Sequence, residues 1–186
     1  MTTYSALKNC GAKSGDLVVV CGIGGLGHLA IQYGNKMGFN IVAISRNEDK
    51  KDLAIKLGAK HYFSIDKCDF VKKIKDLRGA KAVLLTGPSE NISDKLIDSI
   101  QVGGKLMLVG TNTKTMKFSI NPIIFGNKCI QGWVCFDNEV KKECLEFSLK
   151  NEIKPMVQTY KFEDFQNGYD DMFSGKARFR CVVKFD

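Results

Sequence analysis

Short apolar runs alternate with amphipathic segments along most of the chain. The first run, at residues 17–21, is rich in β-branched residues and does not alternate with polar positions, which is typical of a strand buried on both faces of a parallel sheet. After a glycine cluster, apolar residues recur at helical spacing over 26–37, and Gly38 ends that segment. The pattern predicts a strand, a tight turn and a helix.

The same strand and helix cycle repeats. Strands are predicted at 40–44, 61–64, 82–85, 105–109 and 129–135, and helices at 48–57, 69–77, 92–100 and 139–149. Strands that alternate with helices pair in parallel through right-handed crossovers. The chain is therefore predicted to have an α/β fold, a Rossmann-type doubly wound parallel sheet of about six strands.

The residues after 150 break this cycle, with a predicted extended segment at 156–160, a helix at 163–173 and a strand at 179–185. We therefore expect three parts: a leading helix at 1–14, an α/β domain at 15–150 and a tail at 151–186.

A glycine-rich turn stands between the first predicted strand and the helix that follows it. It spans residues 22–27 and reads GIGGLG. In this setting Gly22 allows the tight turn, Gly24 lets the backbone approach a pyrophosphate, and Gly27 lets the helix pack closely on the strand. A glycine-rich turn without a ligand is the alternative, and the surrounding βαβ frame disfavours it. We predict a dinucleotide site that includes Gly22, Gly24, Gly25 and Gly27.

The end of the second strand bears on the choice between NAD and NADP, because a carboxylate there would accept hydrogen bonds from the ribose 2′-OH. Ser45 replaces that carboxylate, and Arg46 and Lys50 follow. These three side chains would suit a 2′-phosphate, so NADP is the predicted cofactor and NAD the alternative. In that alternative Arg46 and Lys50 are solvated, and Glu48 or Asp49 binds the ribose.

Charge and cysteine usage limit the other partners. The 28 Lys and Arg exceed the 20 Asp and Glu, giving +8, which favours an anionic ligand. The lysines are scattered without an aromatic-basic signature, so nucleic acid is not expected. The seven cysteines lack C-x-x-C spacing, and no signal peptide or apolar run of about 18 residues occurs. These features predict a cytoplasmic protein with reduced thiols and no membrane partner.

Several motifs together resemble one dehydrogenase family. They are TTYSALK at 2–8, GIGGLGH at 22–28, LGA at 57–59 and the segment 103–110. The chain resembles the medium-chain zinc alcohol dehydrogenases, especially their NADP-dependent cinnamyl-alcohol-dehydrogenase-like branch. The resemblance implies an oxidoreductase that transfers a hydride between a nicotinamide and a primary alcohol or aldehyde.

The resemblance also implies cofactor contacts outside the glycines. The residues are Thr2 beside the nicotinamide, Leu26 with a backbone N–H at the pyrophosphate, Thr86, Val109 and Thr111 along the ribose and nicotinamide, and Arg180, or Arg178 if the register shifts, at the pyrophosphate. It further implies that the tail completes a catalytic domain, and that the edge near residues 129–135, with Trp133 and Phe136, can form a homodimer.

Family members carry a preceding domain with Cys, His and acidic ligands for a catalytic zinc, and no such set is found in this sequence. The only histidines, His28 and His61, lack metal-ligand spacing with a cysteine. No catalytic or metal-binding residue is therefore predicted. Two hypotheses follow: the NADP-binding part of an alcohol or aldehyde oxidoreductase whose catalytic half lies elsewhere, or a dinucleotide-binding module without activity.

A third possibility concerns Tyr4 and Lys8, which match the Tyr-x-x-x-Lys pair of short-chain dehydrogenases. In that family the pair follows the glycine-rich turn, whereas here it precedes it. We expect both side chains to lie on one face of the first helix.

Overall fold

The computed structural model describes residues 1–87, 90–111 and 115–185. The chain divides into two compact units, Met1–Ile153 and Lys154–Asp186.

A parallel sheet of six strands forms the centre of the first unit, in the order β3-β2-β1-β4-β5-β6. The strands are β1 Leu17–Cys21, β2 Asn40–Ser45, β3 His61–Ser64, β4 Ala80–Leu85, β5 Ile100–Leu108 and β6 Cys129–Gly132. All five pairings between neighbours are parallel. This is the doubly wound order, which confirms the predicted fold class.

This unit also contains the helices α1 Thr2–Asn9, α2 Gly27–Lys36, α3 Lys51–Lys56, α4 Phe70–Asp76, α5 Ser93–Ser99, α6 Asn121–Phe125 and α7 Asn138–Lys150. In sequence, α1 precedes β1, α2 to α6 lie between strands of this unit, and α7 follows β6. Two of them begin at an aspartate whose carboxylate accepts backbone N–H groups: Asp69 caps α4, and Asp137 caps α7.

The apolar runs of the sequence form a core on both faces of the sheet. Val18, Val19 and Val20 of β1 have no exposed surface. Val19 belongs to a cluster that includes Phe70 of α4 and Leu96 of α5. Because side chains alternate along a strand, Val18 and Val20 point to the opposite face. Burial on both faces explains why the strands read as continuous apolar runs.

Two features between residues 100 and 126 were not predicted from the sequence. β5 begins at Ile100 instead of residue 105, since the segment before Lys105 is an irregular extension in which the register with β4 shifts. The helix α6 has only five residues, no buried side chain and a proline in its first turn, so it carries little hydrophobic periodicity.

Two predicted boundaries were also wrong. α3 begins at Lys51 instead of residue 48, because the preceding residues form a turn in which Asn47 bonds Asp49 through side chain and backbone. β6 ends at Gly132 instead of residue 135, where its pairing with β5 ends.

The second unit contains a two-stranded parallel sheet of β7 Val157–Lys161 and β8 Arg180–Lys184, with the helix α8 Phe165–Phe173 between them in sequence. Inside this unit α8 packs against both strands. The hydroxyl of Tyr160 donates to the Asp171 carboxylate at 2.7 Å, which ties β7 to α8.

Candidate functional site

The carboxyl ends of β1 and β4 meet where the strand order of the sheet reverses. Cys21, the last residue of β1, is in register with Leu85, the last residue of β4. Chains that leave neighbouring strands in opposite directions open a crevice at such a point, and ligands of doubly wound proteins bind there. The glycine-rich turn follows β1 directly, so it lines this crevice.

Two glycines of the turn are required by its backbone. Gly22 has a φ of 94°, in the left-handed region that favours glycine, and its N–H donates to the Ile44 carbonyl at 2.9 Å. A Cβ on Gly27 would lie 1.9 Å from the carbonyl oxygen of Gly22. The first turn of α2 therefore packs directly on the end of β1, as the sequence predicted for this position.

Gly24 differs from Gly22 and Gly27, because a side chain at Gly24 would face open space. A Cβ built on Gly24 meets no atom within 4 Å, and its φ is not in the left-handed region. Leu26 is the N-cap residue of α2, and no described side chain caps this helix end. Unbonded N–H groups and the helix dipole make such an end favourable for an anion, and the space in front of Gly24 leaves room for one.

Thr86 fixes the turn from the neighbouring strand. Its hydroxyl oxygen lies 2.8 Å from the carbonyl oxygen of Gly22 and 3.0 Å from that of Cys21. Gly110 approaches the same residue closely, since a Cβ there would lie 2.6 Å from the Thr86 carbonyl oxygen. Thr86 thus joins the ends of β1 and β4, and Gly110 is a site residue that the sequence reasoning did not single out.

Ser45, the last residue of β2, and Arg46, the first residue of the loop that follows, lie at the same end of the sheet. Ser45 is half-buried and Arg46 is exposed. The hydroxyl of Ser64 donates to the Arg46 carbonyl at 3.0 Å, and the hydroxyl of Tyr62 donates to the Asn47 carbonyl. Both donors belong to β3, and the sequence analysis did not identify their role. Their signal in the sequence was the presence of two polar residues, two positions apart, in a buried strand. They hold the loop in place while the Arg46 side chain reaches solvent.

Lys50 reaches from this loop back to the glycine turn, where its ammonium donates to the Ile23 carbonyl at 2.8 Å. The two carboxylates of the loop bond to residues nearby in sequence: Asp49 accepts from Asn47 of the loop at 2.8 Å, and Glu48 pairs with Lys51, the first residue of α3, at 3.5 Å. The ammonium of Lys50 therefore bonds to the glycine turn, and both carboxylates have local partners.

The remaining predicted contacts lie on several elements. The N–H of Val109 donates to Leu85 at 3.1 Å, which places Val109 beside the end of β4. Thr111 is exposed just beyond, and Thr2 is half-buried in the first turn of α1. Arg180 begins β8 in the second unit, and its contact with a pyrophosphate stays a prediction.

Tyr4 and Lys8 are bonded to a third residue, Glu143 of α7. The Tyr4 hydroxyl donates to one carboxylate oxygen at 2.6 Å, and the Lys8 ammonium pairs with the other. Burial and the bond to Glu143 raise the pKa of Tyr4 far above its ordinary range. A tyrosine held in this way joins two helices and is a poor proton donor.

His28 is fully buried in the first turn of α2, and its Nδ1 lies 2.8 Å from the Gly24 carbonyl oxygen. It therefore packs inside the fold and bonds to its own turn. Within residues 1–87, 90–111 and 115–185, no three His, Cys, Asp or Glu side chains come together to hold a metal ion. None of the helices in that same part of the chain has the length and apolar character to cross a membrane.

Comparison with known proteins gives one consistent result. A family model described as zinc-binding dehydrogenase matches residues 25–150. An alcohol dehydrogenase of Geobacillus stearothermophilus is 32% identical over 185 residues, which cover 99% of this chain and 55% of the relative. The chain thus spans about half the length of the curated relatives it matches.

Solved structures share the fold. CAD from Helicobacter pylori, complexed with NADP(H), has a TM-score of 0.83 and 28% identity, with 98% of this chain and 51% of that chain covered. Acetophenone reductase from Geotrichum candidum, in complex with NAD, has a TM-score of 0.85 and 21% identity, with 99% of this chain and 52% of that chain covered. The two neighbours are complexed with different nicotinamide dinucleotides.

Proposed function

Since the chain belongs to the zinc-binding dehydrogenase family, we propose that it is the part of an alcohol or aldehyde oxidoreductase that binds the nicotinamide dinucleotide. The observation that carries this proposal is the open space at Gly24, in front of the α2 N-terminus and at the point where the strand order reverses. A pyrophosphate placed there receives backbone N–H groups without steric conflict.

When bound, the reduced dinucleotide would donate a hydride to an aldehyde, and the oxidised dinucleotide would accept a hydride from an alcohol. This chain's residues bind and orient it. Gly22, Gly25, Leu26 and Gly27 shape the turn under the pyrophosphate, and Thr86 keeps that turn fixed to β4. Val109 and Thr111, with Thr2, are proposed to lie along the nicotinamide half, and Arg180 at the pyrophosphate.

The preferred cofactor is proposed to be NADP. The exposed Arg46 guanidinium and the half-buried Ser45 hydroxyl stand where a carboxylate would otherwise bind the 2′-OH. Lys50 adds a second cation beside the turn. The alternative needs Glu48 or Asp49 for the ribose, and these carboxylates already have local partners, Lys51 of α3 for Glu48 and Asn47 for Asp49. The electrostatics therefore support a bound 2′-phosphate.

Replacing Arg46 with Ala tests this preference. We expect NADPH to bind at least about tenfold more weakly, which is about 1.4 kcal/mol, while the Kd for NADH changes less than about twofold, because only NADPH carries the 2′-phosphate. The measurement is a fluorescence titration of each dinucleotide into each protein. Lys56→Ala, which removes one exposed charge from α3, is the matched control. Equal losses of affinity for NADPH and NADH in R46A would contradict the assignment of Arg46 to the 2′-phosphate.

A zinc ion, which the family description implies, does not fit the described residues, since they provide no set of ligands for it. We therefore assign no step to zinc in this chain. The second candidate function is a dinucleotide-binding module that performs no turnover. The two candidates share the cofactor site and differ only in whether an aldehyde is reduced.

Two further proposals concern the setting. Cys10, Cys68, Cys129, Cys135, Cys144 and Cys181 are free thiols, and free thiols support the predicted cytoplasmic location. β6 is an edge strand of the sheet, and the nearby Phe136 is 81% exposed. Unpaired strand edges with exposed apolar side chains favour pairing with a second copy, so the predicted homodimer through residues 129–135 is retained as a proposal.

A further inference from the structure

A cavity lies at the end of the sheet opposite to the glycine turn. Its volume is about 460 Å³, and its lining includes Gly79, which precedes β4, and Ile100, which begins β5. Because the strands are parallel, the amino-terminal ends of β4 and β5 lie at one end of the sheet, and Gly22 lies at the other end, after the last residue of β1. The cavity falls within the size range of small-molecule sites, about 300 to 1,000 Å³.

The irregular first half of β5 and the end of α6 form the walls of this cavity. The register with β4 shifts between Ala80 and Ala82, so the segment 101–104 leaves the regular ladder. The N–H of Gly103 donates to the Gly126 carbonyl at 2.9 Å, and the Lys81 ammonium donates to the Gly103 carbonyl at 3.2 Å. Defined hydrogen bonds therefore hold the two walls together.

Cations dominate the lining. Lys75, Arg78 and Lys128 contribute three positive charges, and Asp98 contributes one negative charge. Burial lowers the pKa of Lys128, Asp98 opposes this shift and Lys75 adds to it. The Lys128 ammonium donates to the Ile97 carbonyl at 2.7 Å, and an ammonium has three donors. An anion in the cavity would relieve the repulsion between the lysines.

Arg78 occupies a backbone position that does not suit it. Its φ is 75°, directly after α4, where helices usually have glycine. A side chain in this left-handed region costs about 1 to 2 kcal/mol. A cationic side chain at the C-terminus of a helix also interacts favourably with the last carbonyl groups, but that interaction does not require a residue with a strained backbone. Arg78 lines the cavity at this position, so its charge contributes to the cationic lining.

The other side of the cavity is apolar. Phe125 is 84% exposed and Val102 is 74% exposed, and both line the cavity with Pro122. Cationic donors on one side and an aromatic ring with aliphatic carbons on the other match a ligand with a charged head and an apolar body.

We propose that this cavity is a binding site for a small organic anion, a phosphate or carboxylate attached to an aromatic or aliphatic group. Arg78 and Lys128 bind the anionic head, and Phe125 and Val102 cover the apolar body. The site is independent of the dinucleotide site, and each proposal can fail without the other.

The test is calorimetric titration of the full chain with phenyl phosphate, in the presence of excess NADPH so that the glycine turn is blocked. We expect saturable binding of one phenyl phosphate per chain, at least about tenfold weaker binding of inorganic phosphate, and no saturable binding of benzyl alcohol. No saturable binding of phenyl phosphate would overturn the proposal. So would binding in the absence of NADPH that is lost in Gly24→Ala and kept in Arg78→Asn, because it would place the anion at the glycine turn.

Arg78→Asn is the decisive variant, because asparagine tolerates the left-handed region and the fold should be kept, as checked by circular dichroism. We expect R78N and Lys128→Met each to weaken phenyl phosphate binding at least about tenfold, a difference of about 1.4 kcal/mol. Lys72→Met removes one exposed lysine from α4 outside the lining, and should change the Kd less than about twofold. Unchanged binding in R78N, or an equal loss in K72M, contradicts the site.

Discussion

Single glycines of the turn after β1 differ in what a side chain would meet, so their substitution should have different effects. Gly27→Ala places a methyl group 1.9 Å from the Gly22 carbonyl oxygen, a backbone clash that should lower the free energy of unfolding by at least about 3 kcal/mol. Gly24→Ala meets no atom within 4 Å and should fold normally, but bind NADPH and NADH at least about tenfold more weakly, because the methyl group enters the pyrophosphate space. Urea unfolding measures the effect of Gly27→Ala, and dinucleotide titration measures the effect of Gly24→Ala. If G24A bound both dinucleotides as tightly as the wild type, the pyrophosphate would not bind in front of Gly24.

The same comparison shows which single residues the sequence could predict. Gly22 and Gly27 could be assigned because their spacing after a buried strand ties each to one geometric need. Gly110 and Ser64 could not, because their roles depend on Thr86 and Arg46, which are distant in sequence and meet them only once the sheet is assembled.

The bonds from Tyr4 and Lys8 of α1 to Glu143 of α7 can be tested by changing the pH. Lys8 and Tyr4 lower the pKa of Glu143 below its ordinary value of 4.5. Stabilisation from a lowered carboxylate pKa is present above pH 4.5 and is lost as pH falls through the folded value. Because the Glu143 side chain is 43% exposed, solvent screens the pair, and we expect Glu143→Gln to lower the free energy of unfolding by about 1 kcal/mol at pH 7.

Urea unfolding of wild type and E143Q at pH 7 and at pH 3 measures this effect, with Glu146→Gln on the same helix as the control. The difference should be smaller at pH 3 than at pH 7 for E143Q, and E146Q should stay within about 0.5 kcal/mol of wild type at both values. A difference for E143Q that is as large at pH 3 as at pH 7 would show that the carboxylate charge is not its source.

Elements with strong periodicity could be predicted, and irregular ones could not. β1 and β3 have the predicted bounds, since buried strands read as unbroken apolar runs. The irregular start of β5 and the helix α6 depend on the bond between Gly103 and Gly126, which no local pattern encodes. The cavity with the cationic lining is built from these two elements, so sequence reasoning missed it.

The chain as a whole is expected to bind its cofactor without reducing an aldehyde. With NADPH bound and benzaldehyde added, we expect no aldehyde-dependent loss of NADPH absorbance, with or without added Zn²⁺, because the described residues offer no ligand set for a metal that would polarise the carbonyl oxygen. The same assay on a full-length alcohol dehydrogenase is the positive control. Zinc-dependent oxidation of NADPH by this chain would show that it carries the reactive site itself.

The direct test of dinucleotide binding at the glycine turn is a titration of the unmodified chain with NADPH. Binding is monitored through the blue shift and enhancement of the nicotinamide fluorescence. The fold and the open space at Gly24 predict saturation at one NADPH per chain, and competition by NADH at higher concentration. A chain that circular dichroism shows to be folded, but that gives no saturable change with either dinucleotide, would contradict the proposed function.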